Sequence, residues 1–344
     1  MSTAQANEQS PPRAEDDLIA AGDAPADGPN DADSVFSEDQ SSTASISSSI
    51  LEYRRIHGRT YHSDKFAANY FIPNDDRQLE SVELSGVARN VIASHHALTV
   101  LFDDQLFQAP LEKDKIHRVL DVGTGTGIWA IEFADQFPNA SVIGTDLSPC
   151  QPQWIPPNVR FEIDDAGLEW TWDANYFDFI HMRLIYGGIE DWTRLFKEAF
   201  RCCAPGGWVE SVEGDVEFCS DDGTTKLEPI LASFGELFRE AEKVLNRPFF
   251  LRDVQRQAFD EAGFVEKRIP VGPWPKDPRL AEVGRFFGAA LENDLQGYTQ
   301  MLWQSLQRPA DEYHVWLVTL LKAIRNPKVH SYLNGQIVYG RKRE

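Results

Sequence analysis

An α/β fold, with a mostly parallel sheet covered by helices on both faces, is predicted by three features of this 344-residue chain. From Arg118 onward, short β-rich runs alternate with helix-length stretches, the pattern of strands joined by crossover helices. Val119-Leu120-Asp121-Val122 then runs directly into Gly123-Thr124-Gly125-Thr126-Gly127, so a strand ends in a turn too tight for side chains. Asp146 closes the next apolar run, where a carboxylate can reach a ligand seated on that turn.

Residues 1–48 read as a disordered acidic tail. The first 50 residues carry ten Asp and Glu and one base, Arg13, among Ser, Ala and Pro. Their isolated apolar residues cannot offset a chain entropy of about 1–2 kcal/mol per residue. The Ser41 to Ser49 run is a candidate for phosphorylation or docking. Residues 49–115 are expected to form an N-terminal helical cover. Ile50, Leu51, Tyr53 and Ile56 predict a short helix stopped at Gly58. Leu84, Val87, Val91, Leu98 and Leu101, at steps of three, four and seven, predict one helix between Leu79 and Phe102.

Residues 116–271 are the expected ligand-binding core. Strands are predicted over 118–122, 141–145, 159–163, 177–181 and 208–212, with helices over 128–137 and 192–201. Pro205-Gly206-Gly207 is expected to break the chain before Trp208. Helices over 226–245 and 251–262 and a strand over 265–271 follow. The remainder, 272–344, reads as a helical lid insertion over 278–326 and a last strand over 332–342 that completes the sheet.

The net charge of −21 makes nucleic acid an unfavourable partner, because most of the surface repels phosphate. Cys150, Cys202, Cys203 and Cys219 form no CxxC pair, which argues against zinc and predicts a reducing compartment. No apolar run approaches the roughly 18 residues of a membrane span, and the start lacks a secretion signal. The expectation is a cytoplasmic or nuclear protein with neither membrane nor metal.

Chemistry separates the ligands that use such glycine turns. A P-loop needs Lys after its last glycine, and none occurs here before Lys197. A dinucleotide site prefers GxGxxG, whereas this turn is GxGxG and is preceded by Asp121, which would repel a pyrophosphate. S-adenosylmethionine carries no phosphate and has both a sulfonium and an ammonium. Asp121 then suits the amino group and Asp146 the ribose. Asp164 and Asp165, after the run Phe161-Glu162-Ile163, suit the exocyclic adenine amine.

The same stretches resemble a known family, the fungal LaeA-like, TAM-domain class I methyltransferases. The resemblance covers roughly residues 54–343. It lies in Gly58-Arg59-Thr60-Tyr61-His62, Pro73-Asn74-Asp75-Asp76, the run from Val119 through Trp129, Val142 through Pro149, Gln151-Pro152, Pro156 through Val159, Asp164-Asp165, Phe177 through Arg183, Asp191-Trp192, Pro205-Gly206-Gly207 and Tyr339 through Lys342. It implies a Rossmann-like, seven-stranded sheet with S-adenosylmethionine above its C-terminal strand edges. Gly123, Gly125 and Gly127 would lie under the cofactor, Asp146 on ribose and Asp164-Asp165 by adenine, with His181 to Arg183 on the cleft wall. Thr124, Leu147, His181 and Met182 are counted among the cofactor contacts. Family members often follow Pro-Asn-Asp with an acidic run and an Asp-Arg pair, whereas this chain has Asp76-Arg77-Gln78-Leu79-Glu80-Ser81-Val82-Glu83. The family includes small-molecule methyltransferases of secondary metabolism and nuclear regulators associated with velvet-type proteins. Both readings stay open: methyl transfer to a small-molecule acceptor, or regulation within a complex.

Methyl transfer from a sulfonium is an in-line displacement that rests on positioning, so a general base is optional. For an acidic hydroxyl, His181 is the first candidate base and Glu213, just past the strand at 208–212, the second. The alternatives are a hydrogen bond to backbone or cofactor for His181, and a structural ion pair for Glu213. His95 and His96 diverge by about 100° on a helix and read as surface or packing residues. Trp170 and Trp172, and Trp274, Trp303 and Trp316, are either core or an apolar wall for the acceptor.

Overall fold

The computed structural model describes residues 51–66, 70–83, 93–260, 265–271 and 276–343. The predicted tail and the positions Leu84, Val87, Val91 and Trp274 lie outside them.

Seven strands form the main sheet: β3 (Arg118–Val122), β4 (Ser141–Asp146), β5 (Val159–Ile163), β6 (Phe177–Arg183), β7 (Cys203–Gly214), β8 (Val265–Val271) and β9 (Leu333–Arg341). Their order is β5-β4-β3-β6-β7-β9-β8. The first five are mutually parallel, and β9 runs antiparallel to both β7 and β8. The chain therefore winds outward from β3 through β4 to β5, then returns to the other side of β3 with β6. Diverging connections at β3 and β6 leave a crevice at their C-terminal ends.

Side-chain alternation assigns the two faces. Leu120 and Val122 of β3, with Ile180 and Met182 of β6, pack with Trp192, Leu195 and Phe196 of α4 (Trp192–Cys202). Val119 and Phe179 point the opposite way, onto Trp129 and Phe133 of α3 (Ile128–Gln136). Two-residue periodicity sends Asp121 and His181 to the α3 face as well, which decides the fate of that histidine below.

The N-terminal prediction is corrected. Residues 54–61 form a hairpin of β1 (Arg54–Ile56) and β2 (Arg59–Tyr61), not a helix. His57 and Gly58 both adopt positive φ, 47° and 79°, the geometry of a two-residue hairpin turn. Within the stretch read as one helix, the described residues hold two, α1 (Asp76–Glu83) and α2 (Ala93–Leu101). Pro205-Gly206-Gly207 interrupts the pairing with β6 but does not end the strand. β7 runs through it with a register shift, and Gly206 takes a φ of 76°.

Beyond β7 lie α5 (Ile230–Leu245), which starts after Pro229, and α6 (Arg252–Asp260). Between β8 and β9 come α7 (Pro278–Ser305) and α8 (Ala310–Ile324). Helix α7 kinks at Asp294, whose φ of −138° is non-helical. The Asp294 carboxylate accepts from Gly297 N at 3.1 Å and so caps the second half of the helix. Trp303 and Trp316 pack in the core between α5, α7 and α8, and Trp170 is buried against the α4 layer, so these rings are core, not acceptor wall.

Candidate functional site

The crevice holds a cavity of about 230 Å³. The glycine turn forms its floor, and the three glycines do different work. All have positive φ: 68° at Gly123, 58° at Gly125 and 84° at Gly127. A Cβ on Gly123 would strike Ile185, and one on Gly127 would strike the Phe161 ring, whereas one on Gly125 would meet nothing within 4 Å. Gly125 is the one of the three that leaves open space above the turn. Gly127 is a packing glycine that does not line the cavity.

Asp121 sits at the end of β3 with one carboxylate oxygen 2.6 Å from Thr124 Oγ1 and the other 2.7 Å from His181 Nδ1. Asp146 accepts from Gly125 N at 2.9 Å and Ser148 N at 3.0 Å. Burial holds its carboxyl above the ordinary Asp range, partly offset by these N–H donors. Leu147, Asp164 and Asp165 also line the cavity, and burial raises the Asp164 carboxyl.

The roles expected of His181 and Met182 are corrected. Met182 is fully buried among the α4-side residues and reaches no cavity. His181 is 1% exposed and its ring lies 3.8 Å from the Trp129 ring, the two planes 3° apart. It bonds Asp121 from beneath the turn and lines neither cavity. Burial lowers its pKa despite the neighbouring carboxylate. Such a group orients Asp121 and cannot meet an acceptor.

A cover from residues 49–115 and a lid from 278–326 were expected, but the residues they bring to the cavity were not named from the sequence. His62, Asn74 and Gln78, with His95 of α2 and Tyr298 of α7, line the same cavity. Asn74 Nδ2 donates to Ser148 Oγ at 3.1 Å, and His62 Nε2 accepts from Tyr70 N at 2.8 Å. The signal lay in the Gly58-to-His62 and Pro73-to-Asp76 stretches. His95, read as a packing residue, is 3% exposed and bridges Glu132 and Arg183, while His96 packs on Phe286.

A second cavity of about 660 Å³ adjoins the first, with Ser94, Leu184, Tyr186 and Tyr298 on the walls of both. Its walls are mostly apolar, among them Leu98, Phe102, Val212, Phe234 and Phe287. Glu213 lines it, 2% exposed, accepting from Ile185 N at 3.1 Å and Tyr186 N at 3.2 Å. Burial pushes the Glu213 carboxyl up to about 8, and Glu210 to about 7. The folded protein keeps protons that the unfolded chain releases near pH 4.5, so stability falls as pH rises from there to about 8. Glu213→Gln, which cannot ionise, is expected to flatten that slope in melting temperatures taken from pH 5 to 8.5. An unchanged slope would contradict the assignment.

The methyltransferase domain family matches residues 93–265 of this chain. Over 79% of its length the chain is 37% identical to the methyltransferase pytC of Aspergillus terreus, of which it covers 82%. The chain is a LaeA-like class I methyltransferase. It is also 32% identical to the secondary metabolism regulator LAE1 of Cochliobolus heterostrophus, over 81% of this chain and 92% of that one. A solved structure, phosphoethanolamine N-methyltransferase 2 of Haemonchus contortus with S-adenosyl-L-methionine, is similar at 18% identity and a TM-score of 0.45. The similarity spans 78% of this chain and 56% of that protein.

The cofactor of this LaeA-like enzyme is S-adenosylmethionine, and the residues fit it. The space above Gly125 is open, Asp121, Asp146, Asp164 and Asp165 face a cavity whose glycine turn carries no Lys, and both amide atoms of Gln78 are buried there without a partner among the described residues. No helix among the described residues is long and apolar enough to cross a membrane.

Proposed function

We propose that this enzyme methylates a small, largely apolar acceptor held in the 660 Å³ cavity. The observation that supports this is the adjacency of the two cavities: a room for an apolar guest of drug-like size opens beside the cofactor's seat. When bound, the cofactor supplies a methyl on a positively charged sulfur. Asp146, with Asp164 and Asp165, takes the nucleoside end and Asp121, held by His181 and Thr124, the amino group. Tyr186 and Tyr298, lining both cavities, set the acceptor against the methyl and keep water out. Of the two bases named from the sequence, only Glu213 lines the acceptor cavity, and its ionised form, which grows as pH rises towards about 8, receives the acceptor's proton as the new bond to methyl forms and the methyl's bond to sulfur breaks.

Gly288 of α7 gives a direct test. It lines the acceptor cavity and a Cβ there would meet nothing within 4 Å. Gly288→Phe is expected to fold, to bind S-adenosylmethionine within about twofold of wild type, and to lose more than about 100-fold of methyl transfer. The assay is methyl-labelled cofactor incubated with an extract, with label followed in the low-mass and protein fractions. Label confined to protein would contradict the proposal.

A second reading, a regulator of secondary metabolism, is favoured by the 32% identity to the regulator LAE1; in it the expected partner, from the family resemblance alone, is a velvet-type protein. Its test is capture of such a partner by the full chain and loss of capture on deleting residues 1–50. The compartment proposed for either reading is the cytoplasm or nucleus.

A further inference from the structure

A guanidinium lines the cofactor cavity with no counter-ion among the described residues. Arg183, the last residue of β6, lines that cavity and not the acceptor cavity. Among the described residues no carboxylate lies within ion-pair distance of it, and its hydrogen bond is to His95 Nδ1 at 3.1 Å. A guanidinium drawn out of bulk water and left without an anion is costly. Burial duly lowers its pKa, with Asp121, Glu132 and Glu210 pulling the other way.

The geometry behind it is a rail of three residues. His95 Nε2 lies 3.0 Å from Glu132 Oε2, and the Glu132 side chain is 40% exposed at the far end, on α3. With Nε2 donating to Glu132, Nδ1 is bare and accepts an N–H of Arg183, which holds the guanidinium in one orientation. Burial and the nearby Arg183 charge lower the His95 pKa, keeping the ring neutral as this arrangement requires. The rail thus starts from an acid near the surface and ends in a cation facing the cavity.

Asp121 pairs in register with His181, two residues before Arg183 on the same strand, so an acid and a base stand together at the end of the sheet. An α-amino acid group carries one ammonium and one carboxylate on a single carbon. We propose that Arg183, oriented by His95, receives the carboxylate of the cofactor's methionine portion while Asp121 takes its ammonium. This rests on the cofactor reading given above. Arg183 is the binding residue, and His95 is a positioning residue that acts through it.

The test compares two ligands by titration calorimetry: S-adenosylmethionine and its decarboxylated form, which keeps the sulfonium, the nucleoside and the amine. Wild type is expected to bind the decarboxylated form about 10- to 100-fold more weakly. Arg183→Met is expected to lose that factor for S-adenosylmethionine and to bind both ligands alike. His95→Phe should show the same selective loss in part, and His95→Gln, which can accept from Arg183 and donate to Glu132, should restore it. Equal affinities of wild type for the two ligands would overturn the assignment, and that comparison needs no variant to fold. Equal losses for both ligands in Arg183→Met would also overturn it. Failure of wild type to bind either ligand would instead bring down the cofactor reading itself, and this assignment with it.

Discussion

Gly125→Asp is expected to abolish binding of S-adenosylmethionine, by more than about 100-fold, in a protein that still folds. Asp tolerates the left-handed region better than most residues, so the φ of 58° at this position costs little. Nothing in the protein lies within 4 Å of the new Cβ, so no core contact is disturbed. What the side chain does is project a carboxylate into the space above the turn, where the ligand must lie against the backbone. Asp146→Ala removes a different element, the carboxylate that ties the turn to β4 through Gly125 N and Ser148 N, and is expected to cost affinity as well. Calorimetry beside a thermal melt separates the two effects. Unchanged affinity in both variants would remove the cofactor site from this turn.

Arg59→Met is expected to destabilise the protein by about 3–5 kcal/mol, the range for stripping one partner from a buried ion pair. The Arg59 guanidinium joins two helix caps. It meets Asp75 at 2.5 and 2.7 Å and Asp294 at 2.6 and 2.9 Å. Asp75 accepts from Gln78 N and so caps α1, while Asp294, fully buried, caps the second half of α7. Without Arg59 the Asp294 carboxylate keeps only the partly exposed Arg77, 3.3 Å away, as a cationic partner among the described residues. Because Gln78 and Tyr298 line the cofactor cavity, the same variant is expected to weaken cofactor binding. Arg59 also holds the Asp75 carboxyl below its ordinary range, so the clasp persists at neutral pH and is lost only as pH falls through that lowered value. Denaturant unfolding at pH 7 is the measurement. A loss under about 1 kcal/mol would show the clasp to be an ordinary surface contact.

The strands of the core were legible because each is a short apolar run with a turn at its end. The helix predicted around Ile56 was not, because apolar spacing in so short a stretch does not distinguish a helix from a hairpin. The deciding signal was the His57-Gly58 pair between Ile56 and Arg59. That Asp121, Gly125 and Asp146 would share one cavity was legible for a similar reason: a turn at the end of a strand keeps its glycine and its acids close together in sequence. Gly127 was misread because spacing shows that a side chain is unwelcome without showing whether a ligand or the Phe161 ring is what excludes it. His181 was misread because alternation along β6 gives its face but not what covers that face, which is Trp129 of α3.

Local order along the chain determined the α/β class, the glycine turn, the acids beside it and the preference for a cationic nucleoside over a phosphorylated one. These depend on neighbours a few residues apart, where backbone sterics and like-charge repulsion act directly. Tertiary structure alone decided that Arg59 reaches Asp294, 235 positions away in sequence, that His95 meets Arg183 and Glu132, and that an apolar room opens beside the cavity over the glycine turn. Such contacts have no sequence periodicity, since they arise only when separate helices and strands are brought to the same end of one sheet.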